Sequence, residues 1–108
     1  MTTNCVVVWT TVSVDTDWLA LASTLVEERL AACVSVMPEM ESIYRWQEGV
    51  ERDCERQVVI KTTADRVPDL RARLLALHSY ELPEFLVLPI IDGSDDYLAW
   101  VSQSTKQI

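Results

Sequence analysis

Two long runs of strand-forming residues, separated by one short polar stretch, constrain this chain more than any other feature. Ala32 to Trp46 carries Val34, Val36, Ile43, Tyr44 and Trp46, and Glu51 to Thr62 carries Val58, Val59 and Ile60. Between them lies Gln47-Glu48-Gly49-Val50, a turn sequence holding one of only two glycines in the chain. Paired as a hairpin, arms of about 12–15 residues reach roughly 40–50 Å at ~3.3 Å per residue. Ordinary strands run to about 5–6 residues. Such arms overhang their own sheet, and a long open edge is a template for further pairing. The expectation is that they pair with other copies of the chain in a closed, symmetric assembly. Pro38 has no N–H to give to a ladder, so it predicts a bulge or an edge position in the first arm.

The flanking segments complete a pattern. Cys5 to Val12 is short and β-branched, which suits a buried strand. Asp15-Thr16-Asp17 offers helix caps and first-turn acids. Leu19, Ala22, Val26 and Leu30 then recur at helical spacing, predicting an amphipathic helix over 16–30. Thr63-Ala64-Asp65 opens a second helix, with Pro68 tolerated in its first turn and Val67, Leu70, Leu74 and Leu77 as its apolar stripe. Phe85 to Ile91 reads as a fourth strand, Asp92 to Asp95 as a turn, and Tyr97 to Thr105 as a short final helix. The order β-α-β-β-α-β predicts one α+β domain over 1–108. It is ferredoxin-like, with two helices on one face of an antiparallel sheet, a long central hairpin and a C-terminal helix.

Charge narrows the partners. The chain has 108 residues and a formal net charge of −8. That disfavours nucleic acid, whose phosphates need Lys and Arg, and anionic membrane surfaces. Cationic partners fit better. Cys5, Cys33 and Cys54 are odd in number and widely spaced, which predicts reduced thiols in a reducing compartment. Met1 to Asn4 has no basic stretch of the kind that opens a signal peptide. No apolar run approaches the ~18 residues of a membrane span. The expected location is the cytoplasm, with no membrane partner.

Polar chemistry concentrates in His78-Ser79-Tyr80-Glu81-Leu82-Pro83-Glu84, which holds the only histidine. His78 reads either as a helix-end residue favoured by the dipole or as a metal ligand. Glu84 beside it could supply a carboxylate, a set suited to zinc or copper, whereas Glu81 reads as a solvated acid. Cys33, at the start of an apolar run, reads first as a small buried hydrophobe. Tyr44, Trp46, Tyr80, Tyr97 and Trp100 read as interface anchors or as the lining of a cleft. Lys61 reads as a snorkelling lysine or as the anion holder of that cleft. Catalytic signatures are missing: there is no nucleophile elbow, P-loop or His-Glu-x-x-His. The only acid–base pair on offer is His78 with Glu84. The functions that remain are a binding protein, a regulatory scaffold and, third, an acid–base enzyme.

An ordered set of segments resembles the CutA divalent-cation-tolerance family. They are Glu27-Glu28-Arg29-Leu30-Ala31-Ala32-Cys33-Val34, Ser42-Ile43-Tyr44-Arg45-Trp46, Ile60-Lys61-Thr62, His78 to Glu84, Leu88-Pro89-Ile90-Ile91 and Tyr97-Leu98-Ala99-Trp100. The resemblance implies a ferredoxin-like homotrimer with an architecture like that of the PII signalling proteins. It implies a role in the response to copper or another divalent cation, with no established reaction, and it makes Cys33 a metal-responsive thiol. On it, the expected metal ligands are His78, Glu84 and Cys33. The expected ligand cleft is Tyr44, Trp46, Lys61, Tyr80 and Trp100, open to a small anion or a protein partner. Two positions depart from the family pattern. Ser79 stands where the family has proline, which loosens the loop that carries His78, and Ser35 stands where it often has asparagine.

Overall fold

In a computed structural model describing residues 3–107, strand β1 (Cys5–Ser13) is followed by helix α1 (Trp18–Glu27) and the hairpin strands β2 (Cys33–Trp46) and β3 (Gly49–Thr63). A single 3-10 turn (Ala64–Arg66) then leads into helix α2 (Val67–Leu77), strand β4 (Leu86–Pro89) and helix α3 (Asp95–Ser104). Met1, Thr2 and Ile108 lie outside the described residues, and with them the start of the N-terminal segment considered above. The sheet is antiparallel throughout, in the order β2-β3-β1-β4, which is the expected ferredoxin-like α+β arrangement. No described helix is long and apolar enough to cross a membrane.

Side-chain alternation along the strands separates two faces. Val6, Val8 and Val12 of β1 and Val58 and Ile60 of β3 meet Leu21, Leu25, Leu70 and Leu74 of the two long helices in the main core. Among the described residues the opposite face is covered at one end, where Cys5 and Ala32 meet Val101 of α3. Thr62 is fully buried, and its hydroxyl donates to the Leu30 carbonyl at 2.8 Å, so burying it leaves no polar group unmatched.

α1 departs from its expected form. Asp17 caps it, accepting from the Ala20 N–H at 3.1 Å. It ends at Glu27, three residues early, because Arg29 turns left-handed (φ 61°) and Leu30 N–H bonds back to the Leu25 carbonyl. The buried stripe is Leu21 and Leu25, whereas Leu19 is 63% exposed and Val26 is exposed. Apolar residues occupy almost the whole first turn, Trp18-Leu19-Ala20-Leu21-Ala22, so spacing alone does not select a face. In α2, Leu70 and Leu74 are buried as expected and Leu77 is exposed.

The hairpin matches its expected length, with 14 residues in β2 and 15 in β3. Its register slips between Val36 and Glu39, placing the bulge at Met37-Pro38. At the tip Gln47, not Gly49, takes the left-handed backbone (φ 53°), and Gly49 is already paired with Trp46. Pairing of β3 with β1 ends at Glu55 opposite Ser13. Beyond that point, Glu41–Trp46 and Gly49–Cys54 form a two-stranded arm with no third strand among the described residues. Ile43 (73% exposed) and Val50 (66% exposed) lie on it.

Candidate functional site

The end of β4 sets the geometry of the site. β4 stops at Leu86 opposite Trp9, so β1 from Thr10 to Ser13 has no neighbour on that side. Side chains bond to two carbonyls of this stretch. Gln57 of β3 donates from Nε2 to the Thr10 carbonyl at 2.8 Å, and the same nitrogen lies 2.7 Å from Glu84 Oε2. His78, capping the end of α2, places Nε2 2.6 Å from the Thr11 carbonyl. A carbonyl can only accept, so Nε2 carries the proton. Nδ1 is then the acceptor, and it takes the Tyr80 N–H at 3.0 Å. The imidazole is therefore held in one tautomer with both nitrogens engaged. That double anchor ties the start of the 78–84 loop, Ser79 included, to β1.

The loop so held forms one wall of a cleft of about 670 Å³, and the hairpin arm forms the other. Tyr44 and Trp46 of β2 and Asp53 and Glu55 of β3 face Tyr80 and Glu84 of the loop across it. Tyr80 Oη donates to Glu55 Oε1 at 3.0 Å, and Tyr44 Oη donates to Asp53. The bond to Asp53 pushes the Tyr44 hydroxyl up to about 12, with Glu51 and Glu55 adding to the effect. Tyr80 is raised further still, first by burial and then by its bond to Glu55. Both phenols thus stay protonated in the field of the carboxylates around them. Among the described residues no cationic side chain is ion-paired with Asp53, Glu55, Glu81 or Glu84, and Arg45 is the only cationic residue lining the cleft.

This arrangement redistributes the expected site residues. Tyr44, Trp46 and Tyr80 share the cleft as expected. Lys61 and Trp100 do not line it: Lys61 Nζ lies 3.2 Å from Tyr97 Oη, and the tilted rings of Tyr97 and Trp100, both on α3, have centroids 5.4 Å apart. The hydrogen bond to Tyr97 raises the Lys61 amine above its ordinary range. The cleft therefore lacks the lysine that an anion would need. His78 lines a different cavity with Asp15, Leu77 and Ser79, so His78 and Glu84 are not assembled as an acid–base pair.

The expected metal set is likewise not assembled within one chain. Among the described residues no three His, Cys, Asp or Glu side chains are placed to hold an ion. The His78 lone pair is spent on the Tyr80 amide. Among the described residues Glu84 Oε1 takes no hydrogen bond within the chain, and half-buried Cys33 meets only Ser35 Oγ, at 3.7 Å. Reading the sequence missed Asp53, Glu55 and Gln57. Their signal is an acidic or amide side chain at every second position, 51, 53, 55 and 57, with Arg52 and Arg56 between, which resembles an ordinary solvated strand face until the loop closes over it.

Comparison with known proteins agrees with this architecture. The family model described as CutA1 divalent ion tolerance protein matches residues 6–104. A divalent-cation tolerance protein CutA from Thermus thermophilus is 48% identical over 79% of this chain and 82% of its own length. A chloroplastic CutA protein from Arabidopsis thaliana is 40% identical over 97% of this chain, which spans 58% of that longer relative. The solved Thermus thermophilus Cut A1 structure superposes with a TM-score of 0.90 at 44% identity, covering 94% of this chain and 99% of that one. The chain belongs to the CutA1 divalent ion tolerance family.

Proposed function

We propose that this protein works as a cytoplasmic homotrimer that binds copper or another divalent cation in the service of cation tolerance, and that it is a binding protein rather than an enzyme. The observation that carries the assembly is the arm beyond Glu55, a two-stranded ribbon with Ile43 and Val50 in solvent. Isolated ribbons are marginal in water. Edge strand β4 adds to it, because Leu86, Val87 and Leu88 are all exposed on the chain alone. The number three follows from the family resemblance. Three free cysteines fit a reducing compartment.

Cys33 and Glu84 are the side chains proposed to meet the cation, because each keeps electron pairs that the fold does not use. The test is light scattering alongside a thermal-shift series of divalent cations. The expected mass is about 37 kDa, three chains of 12.3 kDa. Copper should raise the melting temperature saturably, and Cys33→Ser or Glu84→Gln should reduce that rise. A monomer at micromolar concentration overturns the assembly. A melting temperature indifferent to every divalent cation overturns the binding role.

A further inference from the structure

We propose that the groove between the C-terminal turn of α1 and helix α2 binds a small organic carboxylate, its charge on the free edges of Arg66 and Arg73 and its short apolar tail on Leu30, Ala72 and Ala76. The groove encloses about 420 Å³, within the range of small-molecule sites. It lies where α1 gives way to β2 and β3 gives way to α2, at the opposite end of β3 from the projecting arm. The surfaces assigned above to pairing between copies, the arm and strand β4, contribute no residue to it.

Arg66 carries the inference. Its side chain is 8% exposed, a costly place for a guanidinium unless its N–H groups are met. Nε donates to the Arg29 carbonyl at 3.3 Å and Nη1 to Asp69 at 3.2 Å. Nη2 has no partner among the described residues. It is not sealed in either, because the one buried side-chain atom left unpartnered there is Arg56 Nε. Arg73 repeats the pattern: Nε and Nη2 each hold Glu28 at 2.9 Å, which leaves Nη1 over. Both guanidiniums are thus anchored on consecutive residues of one turn, Glu28 and Arg29, and both line the groove. Fixed, unspent guanidinium donors suit an oxyanion, and little side-chain freedom is left to lose on binding.

Charge and shape narrow the class. The acids lining the groove, Glu28 and Asp69, are each ion-paired, so no bare carboxylate faces the ligand. Asp69, 64% exposed, shows that Arg66 accepts a carboxylate. In a chain of net charge −8 a monoanion is repelled less than a phosphate dianion. Ala72 and Ala76, one helical turn apart, leave the floor open to an apolar tail.

This goes beyond the proposed cation role and shares no residue with it. The probe is sodium butyrate, replacing sodium chloride at constant ionic strength in the intact protein, and the readout is the Arg66 Nε–H signal. Butyrate should shift it saturably, acetate several-fold more weakly and butylammonium not at all. Asp69→Asn frees Nη1 and removes a competing charge, so it should tighten binding about two- to fivefold, the size of a surface ion pair. Arg73→Gln should weaken it by a similar factor. Ala76→Leu, at an exposed helical position, keeps the fold and should abolish binding by filling the floor. Lys106→Gln removes a cation outside the groove and should change nothing. A shift that never saturates, or one that butylammonium reproduces, overturns the proposal. So does Asp69→Asn binding no tighter, or Ala76→Leu binding as well, as the native protein. Phosphate acting at lower concentration than butyrate overturns the carboxylate class.

Discussion

Replacing His78 with alanine tests the site most directly, because the geometry and the resemblance expect different results. A metal ligand at a helix end would be silent in the metal-free protein. The observed ring instead donates to the Thr11 carbonyl and accepts from the Tyr80 amide. Each bond is worth about 1 kcal/mol net, so losing both costs about 2 kcal/mol. Thr11 is buried and sits past the end of β4, so its carbonyl finds no replacement strand. For a domain unfolding in one step, that loss lowers the melting temperature by roughly 8–16 °C. His78→Gln keeps a donor near Nε2, and His78→Asn keeps an acceptor near Nδ1, so each should recover about half of the loss. The assays are denaturant unfolding of the metal-free protein and hydrogen exchange at the Tyr80 amide. In the native protein that amide should be protected, and in His78→Ala it should exchange freely. An unchanged unfolding midpoint together with an unprotected native Tyr80 amide would refute the clamp.

Three further outcomes are expected. Ile43→Asp puts a charge on the projecting arm and should lower the mass seen by light scattering towards 12.3 kDa while the monomer core stays folded. The raised hydroxyls of Tyr44 and Tyr80 favour the protonated, folded form, so their contribution is complete below the ordinary value of 10.0 and is lost as pH climbs above it. Stability measured from about pH 9 to 11.5 should therefore fall, and Tyr80→Phe should flatten that fall. Asp17→Ala removes the α1 cap and should cost about 1 kcal/mol in denaturant unfolding, with no change in cation binding.

Local chemistry alone determined the element order, the hairpin length and the bulge at Pro38. Strand propensity, missing N–H groups and a single turn depend on nearby residues, and these readings match the structure. Tertiary structure decided which face of α1 is buried, because an apolar first turn has no unique stripe until it meets Val8 and Ile60. It also decided the site. Glu55 and Glu84 are separated along the chain, and only the antiparallel register and the place where β4 stops bring them to one cleft, with Gln57 bonded to Glu84 beside it. The same register carries Lys61 towards α3, six residues along β3 from Glu55 and out of the cleft. A histidine beside two glutamates in sequence suggests shared chemistry. In space the chain needed a partner for the Thr11 carbonyl where β4 had run out, and the His78 ring filled that need.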